Sequence, residues 1–206
     1  FFGNVTMTES LPDIDDCGGG IYQDVTAGVL TITTSEFTNN ISPWGGGAVC
    51  SFGETAIQFS TFTGNDGGEG GGALYISGSP ATVSANTFIN NTAASGGAIH
   101  SNSPDLTVVN STFYVNTANN AAGVDARAGV TNVVNSTFAD NDASGVGGAF
   151  QEQNCCGAVL TVTNSIIDGV SGENTCSGGF ADGGYTVSFY GMVKKRFHLV
   201  PGGTVI

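Results

Sequence analysis

The sequence predicts an all-β chain folded as a right-handed parallel β-helix, a solenoid of about 25 residues per coil. Three observations predict it. Phenylalanine recurs at Phe37, Phe62, Phe88, Phe113 and Phe138, at intervals of 25, 26, 25 and 25 residues. Asparagine follows each one three residues later, at Asn40, Asn65, Asn91, Asn116 and Asn141. Just upstream of each phenylalanine, apolar residues alternate with polar ones, the pattern of a strand with one buried face.

The elements follow in order within each period. A glycine-rich corner comes first: Gly46-Gly47-Ala48-Val49, Gly71-Gly72-Ala73-Leu74, Gly96-Gly97-Ala98-Ile99 and Gly147-Gly148-Ala149-Phe150, with weaker copies at Gly18-Gly19-Gly20-Ile21 and Ala121-Ala122-Gly123-Val124. Glycine there permits a positive-φ turn or a close approach between coils. A strand follows, carrying Ile32, Ile57, Val83, Val108 or Val133 five residues before the phenylalanine. A sixth copy fits with Ile167 in place of phenylalanine, after an insertion around Gln151–Cys156. Strands recurring this often, with no helical pattern between them, cannot build βαβ units. They can stack in parallel about 4.8 Å apart, so that like residues form continuous files. A tight turn leaves backbone groups unpaired inside the coil, and an asparagine amide can bond those groups and the asparagine one coil away. Residues 1–17 are expected to cap the first coil or to link to it. Residues 18–190 are expected to form about seven coils, a rod of roughly 35 Å. Residues 191–206, with Lys194, Lys195 and Arg196, are expected to form a basic tail or edge strand.

The alternation of G-G-A-[ILV] with F-x-x-N, from about residue 18 to 170, resembles the repeat of chlamydial polymorphic outer-membrane proteins. It is also similar to the right-handed β-helices of the pectin-lyase-like class. The resemblance implies a β-helical region displayed on a cell surface and linked to adhesion.

Composition narrows the function. The chain carries 17 Asp+Glu against 4 Lys+Arg, a formal net charge of −13. Nonspecific nucleic-acid binding needs cations facing phosphates, so no nucleic-acid partner is expected. No apolar run approaches the ~20 residues of a membrane helix, so no membrane insertion is expected. The cysteines are Cys17, Cys50, Cys155, Cys156 and Cys176. Cys17 with Cys50 is one natural pair, and either Cys155 or Cys156 can join Cys176, which leaves one thiol over. Disulfides fit an oxidising, extracellular compartment.

Sequons occur at Asn4, Asn40, Asn90, Asn110 and Asn135. Asn40 belongs to the F-x-x-N file. Asn110 and Asn135 share their position with Asn164, which lacks a sequon, so that file reads as a second buried ladder. Asn4 and Asn90 remain as the glycosylation candidates. No cofactor and no metal site is expected; calcium is the one cation invited, by the loops Asp13–Asp16, Asn65–Glu69 and Asp140–Asp142. Enzyme chemistry on this architecture would need carboxylates on one face, from Asp125, Asp140, Asp142 or Glu152, with Arg127 two residues after Asp125. Asp-Asp and Gly-His-Gly patterns of the polygalacturonase type are absent, so no catalytic residue is named. His100 and His198 are isolated, and His100 is expected to face solvent. Trp44 and Tyr75 can stack on sugars but read first as packing residues. The expected function is an extracellular structural or adhesive module without enzymatic activity. Its expected partners are further copies stacked head to tail into a filament, or another extracellular protein, with carbohydrate as the alternative. That alternative includes a polysaccharide lyase or hydrolase.

Overall fold

The structure is a computed structural model. It describes residues 17–26, 28–152 and 158–168, with backbone alone for Glu152 and for short strands at 171–173, 176–177, 181–182 and 187–189. Residues 1–16, the 191–206 tail, Asn4, the Asp13–Asp16 loop, Cys155, Cys156 and His198 lie outside the described residues.

The described chain is all β, and each coil contributes one strand to each of three parallel sheets of seven strands. The first sheet contains Val49–Ser51, Leu74–Ser77, Ile99–Asn102, Val124–Ala126 and their equivalents. The second contains Thr55–Gln58, Ala81–Ser84, Asp105–Val109 and Val130–Val134, and the third contains Thr61–Thr63, Thr87–Ile89, Thr112–Tyr114 and Thr137–Ala139. A fourth sheet of four strands, among them Thr92–Ser95 and Thr117–Asn120, fills the side between the third and the first. Seven strands per stack enclose about six turns. At about 4.8 Å per step the six steps span roughly 29 Å.

The registers put like on like. Phe37, Phe62, Phe88, Phe113, Phe138 and Ile167 are successive partners in the third sheet. The five rings are fully buried, with centroid separations of 4.9, 5.0, 4.8 and 4.3 Å and neighbouring planes within 11°. The coil spacing fixes this stacking, because each ring hangs from an equivalent backbone position. Ile57, Val83, Val108 and Val133 form a second internal file, and Val49, Leu74, Ile99, Val124 and Phe150 a third. Phe150 is larger than its file-mates, and its ring lies 4.3 Å from Phe138, tilted by 58°. Gly123, just before Phe150's register partner Val124, leaves room here: an added Cβ would lie 2.8 Å from the Phe138 ring and 2.3 Å from the Ala149 carbonyl oxygen.

Two corners carry polar ladders and a third is built from glycine. Asn40, Asn65, Asn91, Asn116 and Asn141 are fully buried. Each Nδ2 of the first four donates to the Oδ1 of the next asparagine at 2.8–3.0 Å. The same Oδ1 takes the preceding asparagine's backbone N–H at 3.0 Å. Nδ2 also reaches back to the phenylalanine carbonyl of the previous coil. The corner between the second and third sheets carries a second ladder that sequence reasoning missed. Backbone N–H groups of Ser35, Ser60, Asn86, Ser111 and Ser136 donate to the side-chain oxygens of Ser60, Asn86, Ser111, Ser136 and Ser165. At the glycine corner, Gly46, Gly71 and Gly96 have φ of 57°, 67° and 66°. A Cβ on the next glycine, Gly72, would lie 2.0 Å from the Gly97 carbonyl oxygen.

Candidate functional site

The first sheet alternates strictly. Val49, Leu74, Ile99 and Val124 point inward, so the residues between them form an outward file: Tyr22, Cys50, Tyr75, His100, Asp125 and Gln151 in register. Outward files on a solenoid are ordinarily wet, yet His100 is 7% exposed and Asp125 not at all. The chain just before the glycine corners, at Gly45 and Gly70, supplies cover for Tyr75 and His100. An added Cβ on Gly70 would come 3.1 Å from His100 Nδ1, and one on Gly45 would come 2.9 Å from the Tyr75 ring. The small residues at 45 and 70 leave room for the large ones beside them, and the corner becomes a lined strip.

Polar groups concentrate in this strip. Arg127 Nε donates to Asp125 Oδ2 at 2.7 Å, and its Nη2 donates to Ser95 Oγ at 3.0 Å. His100 Nδ1 lies 3.2 Å from the same Oδ2 but is not aligned to share a hydrogen with it. The His100 ring stacks on Tyr75, 5.0 Å between centroids and 7° apart. Asn102 Nδ2 donates to the Tyr75 hydroxyl at 3.1 Å and stands 3.4 Å from His100 Nε2. Asp125 Oδ1, and Gln151 Oε1 one coil on, are buried without hydrogen-bond partners. Phe52 and Tyr22 continue the aromatic line, at 6.1 Å from Tyr75 to Phe52 and 6.0 Å from Phe52 to Tyr22. Arg127 is 31% exposed and is the one Lys or Arg among the described residues.

Chemically, the strip is a half-buried aromatic rail ending in a guanidinium held rigid by two partners. A buried Asp–Arg pair is poor evidence for stability, since desolvation offsets much of the attraction. The sequence pointed to Asp125 and Arg127 as a pair but placed His100 in solvent. The correction is that the chain at Gly70 covers His100, an approach between residues 30 positions apart that no local pattern displays.

The remaining sequence candidates fall elsewhere. Asp125, Asp140 and Asp142 do not share a face: Asp125 is on the first sheet, Asp142 on the fourth, and Asp140 is an exposed turn residue with φ 52°. Glu152 sits in register with Ala126. Among the described residues no group of three or more His, Cys, Asp or Glu could hold a metal. Asp66 Oδ1 accepts the Gly68 N–H, as in an ordinary turn. Cys17 and Cys50 form a disulfide with Cα atoms 5.6 Å apart. Cys176 is in register with Phe150. Asn90 is exposed at a left-handed turn of φ 54°. Asn110 and Asn135 are also exposed, which corrects the buried-ladder reading of that file. The internal ladder uses the next residue, Ser111 or Ser136, because the left-handed φ at the asparagine turns its own side chain outward.

A model of the right-handed β-helix region matches residues 13–191. The chain belongs to the right-handed β-helix family. The match fixes the handedness of the coil and covers all three long sheets. It does not single out the chlamydial repeats within the β-helix family. No curated protein and no solved structure matches the chain. No helix among the described residues is long and apolar enough to cross a membrane.

Proposed function

We propose that this β-helix is a rigid structural and adhesive module of the cell exterior, acting through its surface rather than by catalysis. The carrying observation is the unbroken internal order. Five stacked phenylalanines and five laddered asparagines, all fully buried, run through consecutive coils. Such files resist bending and slippage, because each side chain is fixed by its equivalents above and below. The Cys17–Cys50 disulfide and the acidic, cation-poor surface support an extracellular setting. Exposed strand edges at the ends of a solenoid favour end-to-end pairing of copies. The test is electron microscopy with light scattering on concentrated protein, together with retention of labelled protein on intact cells. Short rods that lengthen by stacking and remain on cells are expected. Monomers that neither stack nor adhere at any concentration would sink the proposal.

A second reading, carbohydrate contact, is favoured by the strip itself. Tyr75 and Phe52 are half-buried aromatics of the kind that flank sugars, with Asn102 beside Tyr75 and Arg127 two coils on as N–H donors. Titration with neutral and uronic-acid oligosaccharides should perturb the His100 and Arg127 side-chain NMR signals. Release of shortened or unsaturated products would overturn the non-catalytic reading, and silence of both signals would remove the carbohydrate one.

A further inference from the structure

We propose that Asn110 is an acceptor for an N-linked glycan. The internal ladders separate the Asn40 sequon from those at Asn110 and Asn135. Asn40 is fully buried, with its amide donating to Asn65. A glycan there is incompatible with the stacked coils. Asn110 occupies the corner between the second and third sheets with φ 52°, exposed, and its carboxamide has no hydrogen-bond partner among the described residues. Asn135 holds the same position one coil on, but its Oδ1 accepts a 2.6 Å hydrogen bond from Asn164 Nδ2. The hydroxyl that completes the Asn110 sequon, on Thr112, is exposed on the third sheet.

The file's other members show that this position carries no packing duty. Thr34, Phe59 and Ala85 occupy it in earlier coils at the same left-handed φ, and Phe59 is 64% exposed. A side chain as large as phenylalanine therefore points into solvent here, and Asn110, exposed at the same left-handed φ, presents its amide to solvent as well. The transfer needs a lipid-linked oligosaccharide and its transferase. Nδ2 attacks the anomeric carbon, the new N–C bond forms as the C–O bond to pyrophosphate breaks, the amide proton passes to a base of the transferase, and no electron changes hands. The glycan would sit two corners from the aromatic strip and leave it open.

The full chain is secreted from a eukaryotic cell line, so the test does not depend on the natural host or on the adhesive reading. Enzymatic deglycosylation in heavy-oxygen water converts each occupied asparagine to a labelled aspartate, which mass spectrometry locates. A label at position 110 and none at position 40 is expected. Asn110→Gln and Thr112→Ala should each abolish one step of the deglycosylation gel shift, with unchanged far-UV circular dichroism and thermal midpoint. An unlabelled Asn110, a labelled Asn40 in folded protein, or a gel shift that survives both substitutions would overturn the proposal.

Discussion

Asn91 uses every hydrogen-bonding position it has inside the coil. Its Oδ1 accepts from the Asn65 amide and backbone N–H, and its Nδ2 donates to the Phe62 carbonyl and to Asn116 Oδ1. Asn91→Ala leaves several of these buried partners unmatched, at ~1–3 kcal/mol each. A loss of at least about 3 kcal/mol is expected in urea unfolding. Asn91→Asp should behave differently with pH. A buried, acceptor-only carboxylate is disfavoured, so its folded pKa rises above the unfolded value of about 3.9. A raised folded pKa contributes stability below the unfolded value and loses it as pH climbs through the folded one. The urea midpoint of Asn91→Asp should therefore fall further behind the parent between about pH 4 and pH 7; a constant gap would contradict this account. Arg127 gives a second residue-scale test. Arg127→Gln strands the buried Asp125 carboxylate and should cost about 3–5 kcal/mol, and adding Asp125→Asn should recover most of it. Equal losses in the single and double variants would show that the pair is not coupled.

Strands of two to five residues are too short to hold register alone, and the corners supply it. The G-G-A corner is the most demanding. Gly72→Ala puts a Cβ 2.0 Å from the Gly97 carbonyl oxygen and should cost more than about 2 kcal/mol. Gly28 also has positive φ, 53°, but nothing lies within 4 Å of an added Cβ. Gly28→Ala should cost only about 1 kcal/mol, the backbone penalty alone. Comparable thermal shifts in the two variants would refute the close-approach reading. The strand pattern, the glycine corner and the F-x-x-N file could be read from the sequence, because each repeats at a fixed offset. The Ser35–Ser165 ladder could not, because its members change between serine and asparagine. The asparagines beside the last three, Asn110, Asn135 and Asn164, carry the stronger signal, and Asn110 and Asn135 are exposed. Asn110 and Asn116 lie at equal distances on either side of Phe113, and only the corner geometry separates the exposed one from the buried one.

At the scale of the whole molecule, stability runs from coil to coil rather than from a single centre. A coil should therefore be removable if the cut respects the period. Deleting residues 112–136 joins Ser111 to Thr137, the register partner of Thr112. The shortened chain should keep its circular dichroism spectrum and unfold cooperatively. Deleting half that length should not, since it brings polar and apolar files into the same column. Collapse of both deletions would argue against nearest-neighbour stacking.

The sequence by itself determined the period, the strand faces and the stacking of like on like, because these depend only on which residues recur and at what spacing. The tertiary structure decided what lies next to what across a corner. It buried His100 beside Gly70 and Asp125 beside Arg127, and turned Asn110 outward. The reason is physical: periodicity sets contacts between neighbouring coils, whereas the contact of one sheet with another depends on φ values and small residues at the corner, which repeat too loosely to be read from the chain.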